Sequence, residues 1–277
     1  MAAPKTLSLL NLVIVAINFL WIACLENGFL FNYSFTDTIA FYPSYLTPAK
    51  FTYKIWTFIA FNMVLAAYLM YVGSQPTNSN ENTIKKVQKI DYLLILNQLA
   101  LGLSMTLKHN DYFYWSILYS CICLFTLILI NKRIQIKKLT SNSFTRYFIR
   151  LGFGVYTGWL MFVLGFNSAI ILSKLSLSLG DHLFFYLNLG ILTIISIIML
   201  TYSYYNYLPS VSAVLAWGCY GVYDQSKTNP ISQNFDLGPY LLIAMGLAMI
   251  STAIVYYRCS IRRKQIPVII QDPPTIS

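Results

Sequence analysis

Apolar windows of roughly twenty residues, the length a helix needs to cross a bilayer, recur along the whole chain and decide what it can fold into. Runs such as LLILNQLALGLSM (residues 93–105) are continuous rather than alternating. That continuity selects helices over the other spanning solution, a closed β-barrel whose strands alternate polar and apolar residues. Charged residues make up only 10% of the 277 residues, where a soluble domain carries about 25%. The expected fold is all-α, a polytopic membrane helical bundle of about eight transmembrane helices. They fall near residues 7–25, 48–72, 91–107, 112–131, 148–173, 183–204, 208–223 and 238–257.

A net charge of +10 would suggest nucleic acid for a soluble protein. Here it follows from loop asymmetry, so the bilayer and not nucleic acid is the expected partner. With the N-terminus inside, the inner segments hold fourteen basic residues: Lys5, Lys85, Lys86, Lys89, Lys132, Arg133, Lys137, Lys138, Arg146, Arg150, Arg258, Arg262, Arg263 and Lys264. The outer segments hold five, Lys50, Lys54, Lys108, Lys174 and Lys227. By the positive-inside rule, both termini are cytoplasmic. The compact form suits a bacterial inner membrane. The N-terminal run superficially resembles a signal peptide, but bulky Trp21 at −3 from Cys24 favours a retained first span.

Two loops differ in character. Gly28 to Thr47 is long and aromatic, and is expected on the membrane surface or folded over the bundle mouth. Gly73 to Lys86 is polar and reads as a flexible connector. The final residues, QDPPTIS, read as disordered.

Enzyme constellations are missing. The two histidines, His109 and His182, sit at span edges, and no HExxH, GxSxG or phosphate-binding glycine loop occurs. Asp181–His182 reads as an interfacial cap. All nine carboxylates lie in loops, in the tail or at span edges. Mid-membrane ionisable groups, which mark pumps and proton relays, are therefore not expected, and neither is the mid-span lysine of a retinal protein. Five scattered cysteines match no zinc spacing. No catalytic residue, metal ligand or cofactor is assigned, and enzymatic activity is disfavoured. The polar groups within spans are neutral: Asn62, Asn97, Gln98, Ser104, Asn167, Ser168 and Asn188. Interhelical hydrogen bonding is their simplest role. Gly152, Gly154 and Gly158 have the spacing of a close helix contact, within the chain or in a homodimer.

The second span, LTPAKFTYKIWTF (residues 46–58), raises a site question. Thr47 is expected as an N-cap and Pro48 at the first helical position, with Lys50 and Lys54 snorkelling outward. Trp56 then lies about 12 Å down the axis, deeper than an interfacial anchor. It shares a stripe with Thr52, Ala60 and Met63.

PAKFTYKIWTFIAFNMVLAAYLMY resembles the second helix of the tryptophan-rich sensory protein/translocator protein (TspO/MBR) family, with Lys50 or Phe51 where that motif has its first tryptophan. VYTGWLMFVLGFN is similar to the family's fifth helix through Tyr156, Trp159 and Asn167, with Val163 in place of a small residue. QLALGLSM is similar to its third, with Gln98 kept, Gly102 replacing an asparagine and Met105 a tryptophan. AWGCYGVYDQ (residues 216–225) resembles a segment of longer, eight-helix relatives.

The resemblance implies a TspO-like five-helix membrane unit over 1–173 and three additional transmembrane helices over 174–258. A cytoplasmic basic tail over 259–277 would follow. It also implies a pocket lined by Trp56, Trp159, Asn167 and Tyr156 and reshaped by Gln98, Met105 and Val163. The expected ligand is small and hydrophobic, of porphyrin, sterol or lipid type, bound as by a sensor or carrier and gated by the Gly28–Thr47 loop. The alternative is a transporter of a neutral or amphipathic solute, for which the Pro209 break is the hint.

Overall fold

The computed structural model describes residues 3–30, 44–76, 81–138, 144–175, 180–229 and 235–264. The interior of the aromatic loop (31–43), part of the polar connector (77–80) and the end of the tail (265–277) lie outside the described residues.

Among the described residues the fold is helical throughout. Helix α1 spans Pro4–Glu26. A 3-10 segment, Lys50–Lys54, leads into α2, Ile55–Val72. Then come α3 (Glu81–Ile90), α4 (Leu93–His109), α5 (Phe113–Arg133) and α6 (Phe144–Leu175). The chain continues with α7 (Asp181–Asn206), α8 (Pro209–Ser226) and α9 (Gly238–Lys264). Six helices are long and apolar enough to cross a membrane, and a seventh span arises if α3 and α4, bent by 53°, are taken together. With the 18-residue α8, each of the eight apolar windows occurs as a helix.

Three boundaries differ from the sequence reading. Part of the polar connector is helical: α3 buries Thr83, Val87 and Ile90, a one-sided helical spacing that docks it against α1 and α5. Thr47 is no N-cap, because its Oγ accepts from the Ser44 backbone N–H at 2.8 Å and helical geometry starts at Lys50. Helix α9 continues past 258 to Lys264, so the first residues of the basic segment are helical.

Contacts between helices divide into two sets that share one member. The pairs α1–α2, α2–α6, α6–α5, α5–α4 and α4–α1 close a five-helix ring. Helices α7, α8 and α9 pack on one another, and α6 and α8 form the main seam between the sets. Helix α6 is the shared wall, 72% buried over its spanning window against 28–39% for the other five.

Lipid gives apolar helices little reason to prefer one another, so such seams rest on close packing and interhelical hydrogen bonds. At Gly158 a Cβ would lie 3.1 Å from the Cα of Val211 on α8, so glycine lets the two backbones meet there without displacing either by a few tenths of an ångström. The Gly154 face is likewise taken by Ser210. The glycine run thus serves packing inside the chain.

Pro209 starts α8 after Tyr207, which adopts the left-handed conformation at φ 55°. This is a tight turn between two helices, not an interruption within one. At the same end of the bundle, Arg150 donates to the backbone carbonyls of Ile136 and Tyr207. Arg258 stacks over Tyr204 at 3.8 Å. This Arg150 end also holds Lys137 and Lys138, after α5, and the basic last turns of α9.

Candidate functional site

The opposite end of the bundle, where α4 and α6 finish and α2 begins, holds the candidate site. Residues 44–54 reach it along the tops of α7 and α8. Tyr45 packs between Phe184 and Phe185, with ring centroids 5.4 and 5.5 Å away. Burial, then the Asp181 carboxylate, raise the Tyr45 phenol above the ordinary tyrosine value, so it stays neutral in that aromatic setting.

Next, the Ala49 N–H donates to the carbonyl of Gly221 at 2.9 Å, and the indole N–H of Trp217 donates to the Thr52 carbonyl at 3.0 Å. Phe51 meets Trp217 edge-on at 5.5 Å. The AWGCYGVYDQ segment is therefore a clamp on the start of the second span. These tertiary bonds engage the backbone N–H of Ala49, just before the 3-10 segment, and the Thr52 carbonyl within it.

Just past the clamp, Tyr53 and Trp56 turn into the ring. They form one wall of a cavity of about 20 Å³. Helix α4 supplies Leu101, Ser104, Met105 and Lys108, α5 supplies Ser120, and α6 supplies Leu160, Val163, Phe166 and Asn167. A water molecule needs about 10–15 Å³ by this measure, so Met105 and Val163 nearly fill the space beside Trp56.

Of the seven residues singled out in the sequence, Trp56, Met105, Val163 and Asn167 line this cavity. Trp159 and Tyr156 stand behind it, both fully buried. Trp159 meets Trp56 edge-on at 6.2 Å and stacks on Phe162 at 5.5 Å, while Tyr156 meets Trp56 at 6.5 Å. Such edge-to-face contacts are favourable ring geometries. Among the described residues, the buried Trp159 Nε1 has no hydrogen-bond partner.

Gln98 lies elsewhere, about 10 Å along α4 from Met105. It accepts from Asn18 Nδ2 at 2.8 Å and donates to Asn97 Oδ1 at 3.0 Å. Asn97 in turn donates to the Cys123 carbonyl at 2.7 Å and to Thr126 at 3.1 Å, and accepts from the Tyr156 hydroxyl at 3.0 Å. This buried net ties α1, α4, α5 and α6 together. A second link, Ser104 to Ser120 at 2.6 Å, closes α4 on α5 beside the cavity. Asn62, Ser168 and Asn188, by contrast, donate to carbonyls one turn back in their own helices and join no neighbour through those bonds.

Lys108 is the residue that sequence reasoning misplaced. It counted there as a loop lysine, whereas α4 runs on to His109 and carries the side chain inside, 2% exposed. Its ammonium donates to Asn167 Oδ1 and lies over the Phe166 ring at 4.5 Å. The available signal was spacing: Leu101, Ser104, Met105 and Lys108 fall on one helical face. Of the two cysteines on α5, Cys123 is buried and Cys121 exposed. No metal-holding group of side chains occurs among the described residues.

The sequence profile described as TSPO-like protein matches residues 8–264. The chain belongs to the TSPO-like family. The match runs through both the ring and the α7–α9 set, so the clamp lies within the family region. Comparison with curated proteins and with solved structures gives no match. Together with its spanning helices, membership makes this an integral, multi-pass membrane protein. One departure from the TspO/MBR motifs now has a physical account. A Cβ at Gly102 would lie 2.8 Å from Asn18 Oδ1. The polar amide absent from position 102 is supplied across the interface from α1.

Proposed function

We propose that this TSPO-like chain binds a bulky hydrophobic or aromatic molecule, of porphyrin, sterol or lipid type, inside the five-helix ring as a sensor or carrier. The reading rests on one observation: an indole, a flexible methionine, an asparagine and an ammonium from three helices converge on a single cavity. Apolar walls with a few convergent polar groups are the usual construction of a small-molecule site. The indole N–H of Trp159, behind that wall, adds a donor for a ligand or water.

At about 20 Å³ the cavity is too small for such a ligand in this conformation, so binding proceeds with side-chain movement. Met105 is suited to it, being unbranched and adaptable. Release of the clamped 3-10 segment would widen the same space. The positive-inside rule assigns the basic Arg150 end, and both termini, to the cytoplasmic side of a bacterial inner membrane.

The test is a titration of tryptophan fluorescence in detergent with protoporphyrin IX and with a sterol. Saturable quenching is expected in the wild type. Trp56→Phe should weaken affinity roughly tenfold, the loss of one aromatic wall contact and its area, and Trp159→Phe should weaken it less. Absence of saturable quenching by either ligand would sink the reading. Solute flux in proteoliposomes without retention would favour the transporter alternative.

A further inference from the structure

Lysines at this end of the bundle follow two patterns. Lys50 and Lys54 are exposed, the outward reach expected of a snorkelling side chain, and Lys174, exposed as well, caps the Phe113 ring at 4.1 Å. Lys108 turns the other way, into the ring, with its ammonium on Asn167 and over the Phe166 ring. It is the one basic group among the described residues that line the cavity.

Removing an ammonium from water is expensive, and an ionisable residue within membrane helices points to function rather than packing. A glutamine would bond Asn167 without that cost. A methionine would fill the space. What neither can do is attract a negative charge.

We propose that Lys108, together with Asn167, makes this site selective for amphiphiles that carry a carboxylate on an apolar body. This deepens the proposed ligand-binding function and rests on it. The carboxylate joins or displaces the Asn167 oxygen on the ammonium and accepts charge-assisted hydrogen bonds, while the Asn167 amide offers N–H donors beside it. The apolar body then lies along Trp56, Met105 and Val163. Low dielectric within the ring strengthens the ion contact relative to water. The shared chemistry covers tetrapyrrole acids and fatty acids alike, so both are tested.

The experiment compares matched ligands that differ only in charge, with the full chain in detergent at neutral pH. Protoporphyrin IX is set against its dimethyl ester, and oleate against oleyl alcohol. The wild type is expected to bind the acid about tenfold more tightly in at least one pair, the worth of one charge-assisted hydrogen bond. The pair that shows the preference identifies the source. Lys108→Met should bring acid and neutral ligand to equal affinity, and Lys108→Arg should restore most of the preference.

Equal affinity for acid and neutral partner in the wild type overturns the inference and leaves the proposed function standing. Because this comparison varies the ligand, it holds even if a Lys108 variant fails to fold. A preference that survives Lys108→Met overturns the assignment to Lys108. If no ligand of either charge binds, the proposed function fails and the inference with it.

Discussion

Gly221→Leu is expected to unseat the start of the second span and to destabilise the protein severely. A Cβ at position 221 would lie 1.9 Å from Thr52 Oγ1 and 2.8 Å from Thr52 Cγ2, and no rotamer choice at 221 relieves a clash with its own first carbon. The 3-10 segment and α8 must separate, which breaks the Ala49–Gly221 and Trp217–Thr52 bonds. Overpacking costs about 1–3 kcal/mol, and each lost hydrogen bond adds about 1 kcal/mol.

A thermal melt in detergent should therefore fall by many degrees, and Trp56 emission should shift toward the red as its wall opens. The contact itself can be isolated with Gly221→Ala and Thr52→Ala. Thr52→Ala alone removes the two closest atoms and should cost little, because Oγ1 has no hydrogen-bond partner among the described residues. In the double variant it should recover part of the Gly221→Ala loss, since the Cβ of residue 52, 2.9 Å away, remains, a positive coupling between neighbours. Additive effects would mean that α8 and the 3-10 segment do not touch there.

The second large effect is expected at the opposite end. Arg150 is 9% exposed and donates to the carbonyl of Ile136, after α5, and to that of Tyr207, between α7 and α8, at 2.5 Å. One guanidinium thus joins the ring to the C-terminal helices. Its planar fork presents donors in two directions at once, which an ammonium on a flexible stem does not. Arg150→Met should lower stability by about 3–5 kcal/mol, two charge-assisted hydrogen bonds to buried carbonyls. Arg150→Lys should recover less than half of that in the same thermal melt. A melting temperature unchanged in Arg150→Met would show that the two sets of helices are held by the α6–α8 packing alone.

Helix content and rough span positions were legible because twenty-residue apolar runs leave few alternatives. Gly154 and Gly158 marked α6 as a close-packed helix, and Tyr156, Trp159 and Asn167 marked the face it turns to the ring. What stayed hidden depended on partners far along the chain. The 3-10 segment forms where the Ala49 N–H and the Thr52 carbonyl are engaged by residues of α8, about 170 positions away. Helix α3 gains its order by burying three residues against other helices, which a polar composition conceals.

Lys108 was read as a loop charge because charge placement sets span ends in any hydropathy argument. That rule has no means of detecting a lysine folded inward. Counting helical face instead of hydropathy would have joined it to Met105, and through Met105 to the Trp56 wall.

The central claim is that ligand enters the ring beside Trp56. Photolabelling of the full chain in detergent, with a diazirine-bearing fatty acid and a diazirine-bearing sterol, tests it most directly. Each probe is competed by its unlabelled parent, and adducts are mapped by peptide mass spectrometry. Competable adducts on Met105, Val163 or their immediate neighbours are the expected result. Competable labelling confined to exposed residues of α7 and α9, such as Ile194 and Ile243, would contradict a site inside the ring.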